Sequence, residues 1–241
     1  MFFASFAWSF VFVSLPFHIQ ALSTLDAVAT LTWTGWILGV TSLVTVVSAP
    51  IWGRVAERRD PRRLYVAVES LQAVGFFAMA AARTLGELFM ARMLLGVMGA
   101  SSTFAFMLAG RAPDAAQVRR QVAAVQSAMT VGQVIGPLAG AVAAARLGFR
   151  PSFALGGLIL LACALLVRWG AVAPEPPARS ARHRRRVRLR DLVFSSAIVL
   201  VGSTQLFFLA SVLPQIVPEL GVAPGDTLQI GGILIFASAA A

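Results

Sequence analysis

The sequence predicts an all-α polytopic membrane helix bundle, and three observations carry that reading. Of 241 residues, 58% are hydrophobic and only 12% are charged, whereas a soluble domain carries about 25% charged residues. The apolar residues gather into runs of membrane length, and a helix needs roughly 20 such residues to cross the hydrocarbon. The basic residues gather between the runs, and all twenty are arginine.

Taken in order, the apolar runs place spans at about 1–21, 30–52, 64–82, 87–110, 121–145, 152–172, 192–217 and 227–241. The first is as long as a full span and has no basic flank before it, unlike a cleavable signal. The loop 53–63 holds Arg54, Arg58, Arg59, Arg62 and Arg63, and the loop 111–120 holds Arg111, Arg119 and Arg120. Arg168 and the seven arginines from Arg179 to Arg190 belong to the same side, whereas the opposite side has Arg83, Arg146 and Arg150. Sixteen arginines against three, with Arg92 inside a span, put the loops 53–63, 111–120 and 173–191 in the cytoplasm, because short basic loops are retained there. Topology therefore explains the net charge of +10, and no nucleic-acid partner is expected. The partner of the arginine-rich connection is the anionic surface of the lipid bilayer.

The one linker is the connection 173–191. Pro174, Pro176 and Pro177 stop the preceding helix, and Arg182-His-Arg-Arg-Arg186 follows. It separates a six-helix unit, 1–172, from the start of a second unit, 192–241. A short internal repeat supports that division. Leu15-Pro16 near the end of the first span matches Leu213-Pro214 near the end of the seventh. Gly35-Trp-Ile-Leu38 and Ser42 match Gly231-Gly-Ile-Leu234 and Ser238. Two related halves of six helices each are the expectation, with this chain cut at both ends.

Three segments carry a family resemblance. Gly53-Arg-Val-Ala-Glu-Arg-Arg-Asp-Pro-Arg-Arg-Leu64 resembles the signature loop between the second and third helices of major facilitator superfamily transporters, with Gly53, Ala56, Arg58 and Arg62 in place and Glu57 as the acid. Arg92-Met-Leu-Leu-Gly96 resembles a second motif of that superfamily, in the fourth helix. Gly132-Gln-Val-Ile-Gly-Pro-Leu-Ala-Gly140 resembles the fifth-helix motif of its drug/proton antiporters. Gly132, Gly136 and Gly140 are four apart and share one helix face, where a neighbouring backbone can come close, and Pro137 interrupts the helix.

The resemblance implies alternating access, with export of a small hydrophobic or amphipathic compound as protons enter. It implies that Gly53, Glu57, Arg58 and Arg62 form a conformational latch, that Arg92 influences the protonation of a nearby acid, and that the full-length protein is a monomer. The residues themselves leave the proton carrier open. Relatives often have an acid in the first span, where this chain has His18-Ile-Gln20; the remaining candidates are Glu69, inside the third span, and His18. The alternative for Glu69 is pairing with loop arginines, and for His18 an ordinary hydrogen bond. Gln20, Ser101, Ser102, Gln133 and Gln205 are the polar residues expected to face a substrate cavity.

Two histidines and one cysteine, Cys163, offer no metal-ligand spacing and no disulfide. No cofactor is expected, no nucleotide-binding loop occurs, and no nucleophile-base-acid set can be assembled, so an enzyme is not the reading. Three other readings stay open at this point: an uptake facilitator for a sugar or metabolite on the same fold, a non-transporting half-transporter or remnant, and a membrane-anchored nucleic-acid or lipid-binding protein, which rests only on Arg179–Arg190.

Overall fold

The structure, a computed structural model, describes residues 1–170, 212–214, 216, 217, 219, 221, 222 and 226–240. Its helices are α1 (Phe2–Phe12), α2 (Ser14–Leu22), α3 (Ala27–Arg58), α4 (Pro61–Ala81), α5 (Leu85–Val97), α6 (Ser101–Ala109), α7 (Ala115–Leu147), α8 (Phe149–Gly170) and α9 (Thr227–Ala240). No strand occurs among the described residues. Six stretches are long and apolar enough to cross a membrane: α1 with α2, α3, α4, α5 with α6, α7, and α8. They coincide with the first six predicted spans. The linker 173–191 and most of the span 192–217 lie outside the described residues.

The helix starts follow from local chemistry. Asp26, Thr84 and Asp114 each accept a hydrogen bond from a backbone N–H of the first turn, at 2.7, 3.2 and 2.7 Å, which satisfies a donor that the helix itself leaves free. Asp60 does the same for α4, followed by Pro61 at the first helical position, where a missing N–H costs nothing. Between α7 and α8 the chain reverses over Gly148 alone, at φ +88°, a conformation open to glycine and strained for other residues.

Two predicted loops are corrected. Residues 53–58 are not a loop but the last turns of α3, because nothing between Gly53 and Arg58 stops the helix; only Arg59 and Asp60 separate it from α4. The loop 111–120 is likewise short: α7 begins at Ala115, so Arg119 and Arg120 stand on a helix that runs past the apolar region.

In the packing, α1 lies against α7 and α8, α4 against α8, α5 and α6, and α3 against α5. The largest fully buried side chains, among them Tyr65, Phe76, Phe104, Phe153 and Met79, fill the space between these helices. Outward faces are apolar instead: Val46, Val47 and Trp169 are all more than 70% exposed. That inversion suits lipid as the surrounding solvent.

The α1–α7 contact is set by glycine. A Cβ on Gly132 would lie 2.7 Å from the carbonyl oxygen of Phe2, one on Gly136 would lie 2.9 Å from that of Phe6, and one on Gly140 would strike that of Phe10. The other side of α7 receives α9, where Gly232 faces Ala141 and the carbonyl of Pro137. Ala141 stands where the motif usually has a second glycine, and a glycine on α9 makes room for its methyl group.

Candidate functional site: a polar network inside the bundle

The fourth spanning stretch is broken at Met98–Ala100, between α5 and α6. A break frees carbonyls that apolar surroundings would leave unpaired at a cost of several kcal/mol each. Here neighbouring side chains meet them. Thr45 Oγ1 donates to the carbonyl of Gly96 at 2.9 Å, Trp52 Nε1 to that of Val97 at 2.6 Å, and Gln72 Nε2 to that of Met98 at 2.6 Å. Gln72 is 1% exposed, and its amide oxygen accepts from Trp8 Nε1 at 3.0 Å. Both sides of one amide are thus used to tie α1 and α4 to the break.

Arg92 joins the same network from α5. It is 6% exposed, its Nε donates to the carbonyl of Ile37 at 3.3 Å, and its guanidinium lies 5.6 Å from the centre of the Trp8 ring, within cation–π range. The neighbouring backbone is held too, since Thr41 Oγ1 donates to the carbonyl of Arg92 at 3.0 Å. The sequence reading gives Arg92 a nearby acid. Among the described residues it has none: their one ion pair is Arg111–Asp60.

Glu69 is fully buried on α4, and neither carboxyl oxygen has a hydrogen-bond partner. It does not pair with any loop arginine among the described residues. Because α4 starts at Pro61, three residues earlier than predicted, Glu69 lies eight residues in, about 12 Å along the helix axis, beyond their reach. The polar groups that act on it are Tyr65, one turn away, and Ser101 at the start of α6. Tyr65 in turn contacts the thiol of Cys163, 3.4 Å away. His18 is also buried without a hydrogen bond at either ring nitrogen, packed on Phe149 and Phe153 with ring centres 5.3 and 5.2 Å away. The expected ordinary hydrogen bond is absent.

The arginine-rich end is organised around Asp60, to which the motif reading gives no part, and Arg62, which that reading places in the latch. Asp60 caps α4 and also accepts from Arg111 Nη1 at 3.2 Å, which ties the α3–α4 turn to the α6–α7 turn. Arg62 Nε donates to the carbonyl of Val167 at 3.2 Å, and its Nη2 to that of Arg168, so a cation closes the last turn of α8, where the carbonyls have no partners of their own. Gly53, Glu57 and Arg58 are exposed on the last turns of α3, with nothing within 4 Å of a Cβ on Gly53.

A model of the Major Facilitator Superfamily matches residues 1–241. The chain belongs to that superfamily. Its relatives include the uncharacterized MFS-type transporter YuxJ of Bacillus subtilis, 26% identical over 77% of this chain and 48% of that protein. The multidrug resistance protein MdtG of Salmonella choleraesuis is 28% identical over 66% of this chain and 40% of the relative, and MdtG of Citrobacter koseri is matched at the same identity over 39% of its length. This superfamily member thus spans less than half of each of these relatives.

Within the superfamily protein, the predicted site residues do not form one cluster. Ser101 stands beside Glu69. Ser102 is half-buried on α6, Gln20 and Gln133 are exposed on α2 and α7, and Gln205 lies outside the described residues. Gly132, Gly136, Pro137 and Gly140 are buried, the three glycines against α1. Trp8, Gln72 and Asp60 are the residues that the motifs do not reveal. Gln72 and Trp8 carry a signal all the same, as polar groups in the middle of spans, where each needs a partner.

Proposed function

We propose that this protein is the first half, and the beginning of the second, of a secondary transporter that exports small hydrophobic or amphipathic compounds in exchange for protons. Residues 1–172 are the first six-helix unit, 173–191 the linker and 192–241 the start of the second unit. The two units rock about a central cavity, with the arginine-rich turns on the cytoplasmic side of the cell membrane.

The observation that carries the proton-coupled reading is Glu69. An isolated charged carboxylate is very costly out of water, and among the described residues this one has no ion pair and no hydrogen bond. A carboxyl so placed is suited to exchanging a proton when the bundle opens and water reaches it. Tyr65, Ser101 and Cys163 are the neutral groups around it, and none of them would lock it in its charged form. The multidrug resistance proteins among the relatives support export as the direction, as does the glycine face of α7.

The test is efflux of a fluorescent dye from vesicles that hold the full-length protein, driven by a pH gradient. Glu69→Gln abolishes uphill efflux while leaving downhill exchange of the dye. Wild-type pH-driven efflux by that variant would overturn the assignment.

A further inference from the structure

The mechanism proposed above uses Glu69 and leaves Arg92 with no task. A charge in the middle of a span is costly, and such a residue is normally paired. Arg92 is 6% exposed and, among the described residues, its side chain has neither an ion pair nor any hydrogen bond beyond the one from Nε to Ile37. Its two terminal amino groups, the fork that grips a carboxylate with two parallel bonds, are therefore uncommitted.

Beside that fork lies a cavity of about 130 Å³, lined by Trp8, Val11, Phe12, Leu15, Thr41, Ser42 and Phe76 together with Arg92. Ser42 is exposed and marks the mouth. Its hydroxyl has no hydrogen bond among the described residues, whereas that of Thr41 is spent on the Arg92 carbonyl. A water molecule occupies about 30 Å³ of liquid, so the cavity holds roughly four groups of that size. The apolar walls are Val11, Phe12, Leu15, Phe76 and the Trp8 ring. A fully polar ligand would find one cation and one hydroxyl in such a space, and a fully apolar one would leave the cation bare.

We propose that this cavity is a subsite for the carboxylate end of the transported compound, so that the cargo includes small monocarboxylates with an apolar tail. The proposal rests on the transport reading above and adds a substrate class to it. Arg92 receives the two carboxylate oxygens, Ser42 donates at the mouth, and the first carbons of the tail lie on Trp8 and Phe76. The remainder of the tail extends past Ser42. Trp8 is fixed for this by its bond to Gln72, which keeps the ring under the guanidinium when the site is empty.

The experiment uses the full-length protein in nanodiscs and measures equilibrium binding of octanoate, octanol and octylamine by calorimetry, with no pH gradient, in sulfate and again in chloride. Octanoate binds saturably and about tenfold or more tighter than octanol, the margin set by a two-bond charged contact. Arg92→Gln removes that preference and leaves octanol binding as it was, while Arg92→Lys keeps only part of it. Octanol or octylamine binding as tightly as octanoate overturns the proposal, as does an octanoate preference that survives Arg92→Gln. Chloride binding without octanoate binding in sulfate overturns it too, leaving a halide site. If Arg92→Gln does not accumulate, the comparison of the three probes on the unaltered protein still decides. Failure here leaves the proton role of Glu69 standing, and loss of that role leaves the octanoate preference measurable.

Discussion

Gly140 and Phe10 meet backbone to backbone: a methyl group on the glycine would overlap the carbonyl oxygen of the phenylalanine. A carbonyl inside a helix cannot swing away as a flexible side chain can, so Gly140→Ala must push α1 and α7 apart. The expected cost is about 1–3 kcal/mol, the usual range for overpacking, read as a lower midpoint of unfolding in detergent. Gly35→Ala, in a helix interior with nothing within 4 Å, is the control and should be neutral or stabilising by up to about 1 kcal/mol. Equal stability of the two variants would remove the close α1–α7 contact from the account.

Gln72 makes two bonds with one amide, to Trp8 and to the Met98 carbonyl. Gln72→Met keeps the volume and loses both. It leaves a carbonyl and an indole N–H unpaired in the interior, at about 1–3 kcal/mol each, reduced where water can enter. Hydrogen exchange should show the amides around Met98–Ala100 opening more readily, with the ends of α4 unchanged. Unchanged protection at the break would mean that the side chains do not hold it.

Asp60 should matter more to folding than its exposed ion pair suggests. The pair with Arg111 has side chains 23% and 34% exposed, and such contacts are worth about 0–1 kcal/mol. The cap on α4 adds about 1 kcal/mol. Asp60→Ala is therefore expected to destabilise more than Arg111→Ala, with the difference visible in chemical unfolding at high salt, where the ion pair is screened. Equal losses in both variants would leave the cap without a measurable part.

Much of this was legible in the sequence for one reason: lipid demands long apolar helices, so hydropathy alone locates the first six spans. The helix ends were not legible in the same way. Apolarity stops near Trp52, but the helix runs on to Arg58, because backbone hydrogen bonding ends at a structural signal, here Asp60-Pro61, and not where the lipid ends. The same gap moved Glu69 deeper than its distance from the apolar edge implied. The glycine face of α7 was readable from spacing, whereas its partner was not, since nothing near Gly140 in the chain points to Phe10. Trp8 and Gln72 escaped because the motifs drew attention to Arg92, and a single polar residue in a span does not name its partner.

The resemblance makes Glu57 the acid of a proposed latch, and within this chain it is exposed, with no hydrogen bond or ion pair among the described residues. Glu57→Gln should therefore leave stability within about 0.5 kcal/mol of the parent. If it forms the proposed latch by capping a helix N-terminus in the other half, where a carboxylate contributes up to about 1 kcal/mol, the same substitution slows transport several-fold in the full-length protein. Parallel measurement of Glu57→Gln and Asp60→Asn separates the two acids of the turn. A loss of transport confined to Glu57→Gln assigns gating to Glu57 and folding to Asp60. Full transport by Glu57→Gln, with normal amounts of protein in the membrane, leaves Arg62 on the end of α8 as the only member of the motif with a demonstrable contact, and makes that turn a structural clasp.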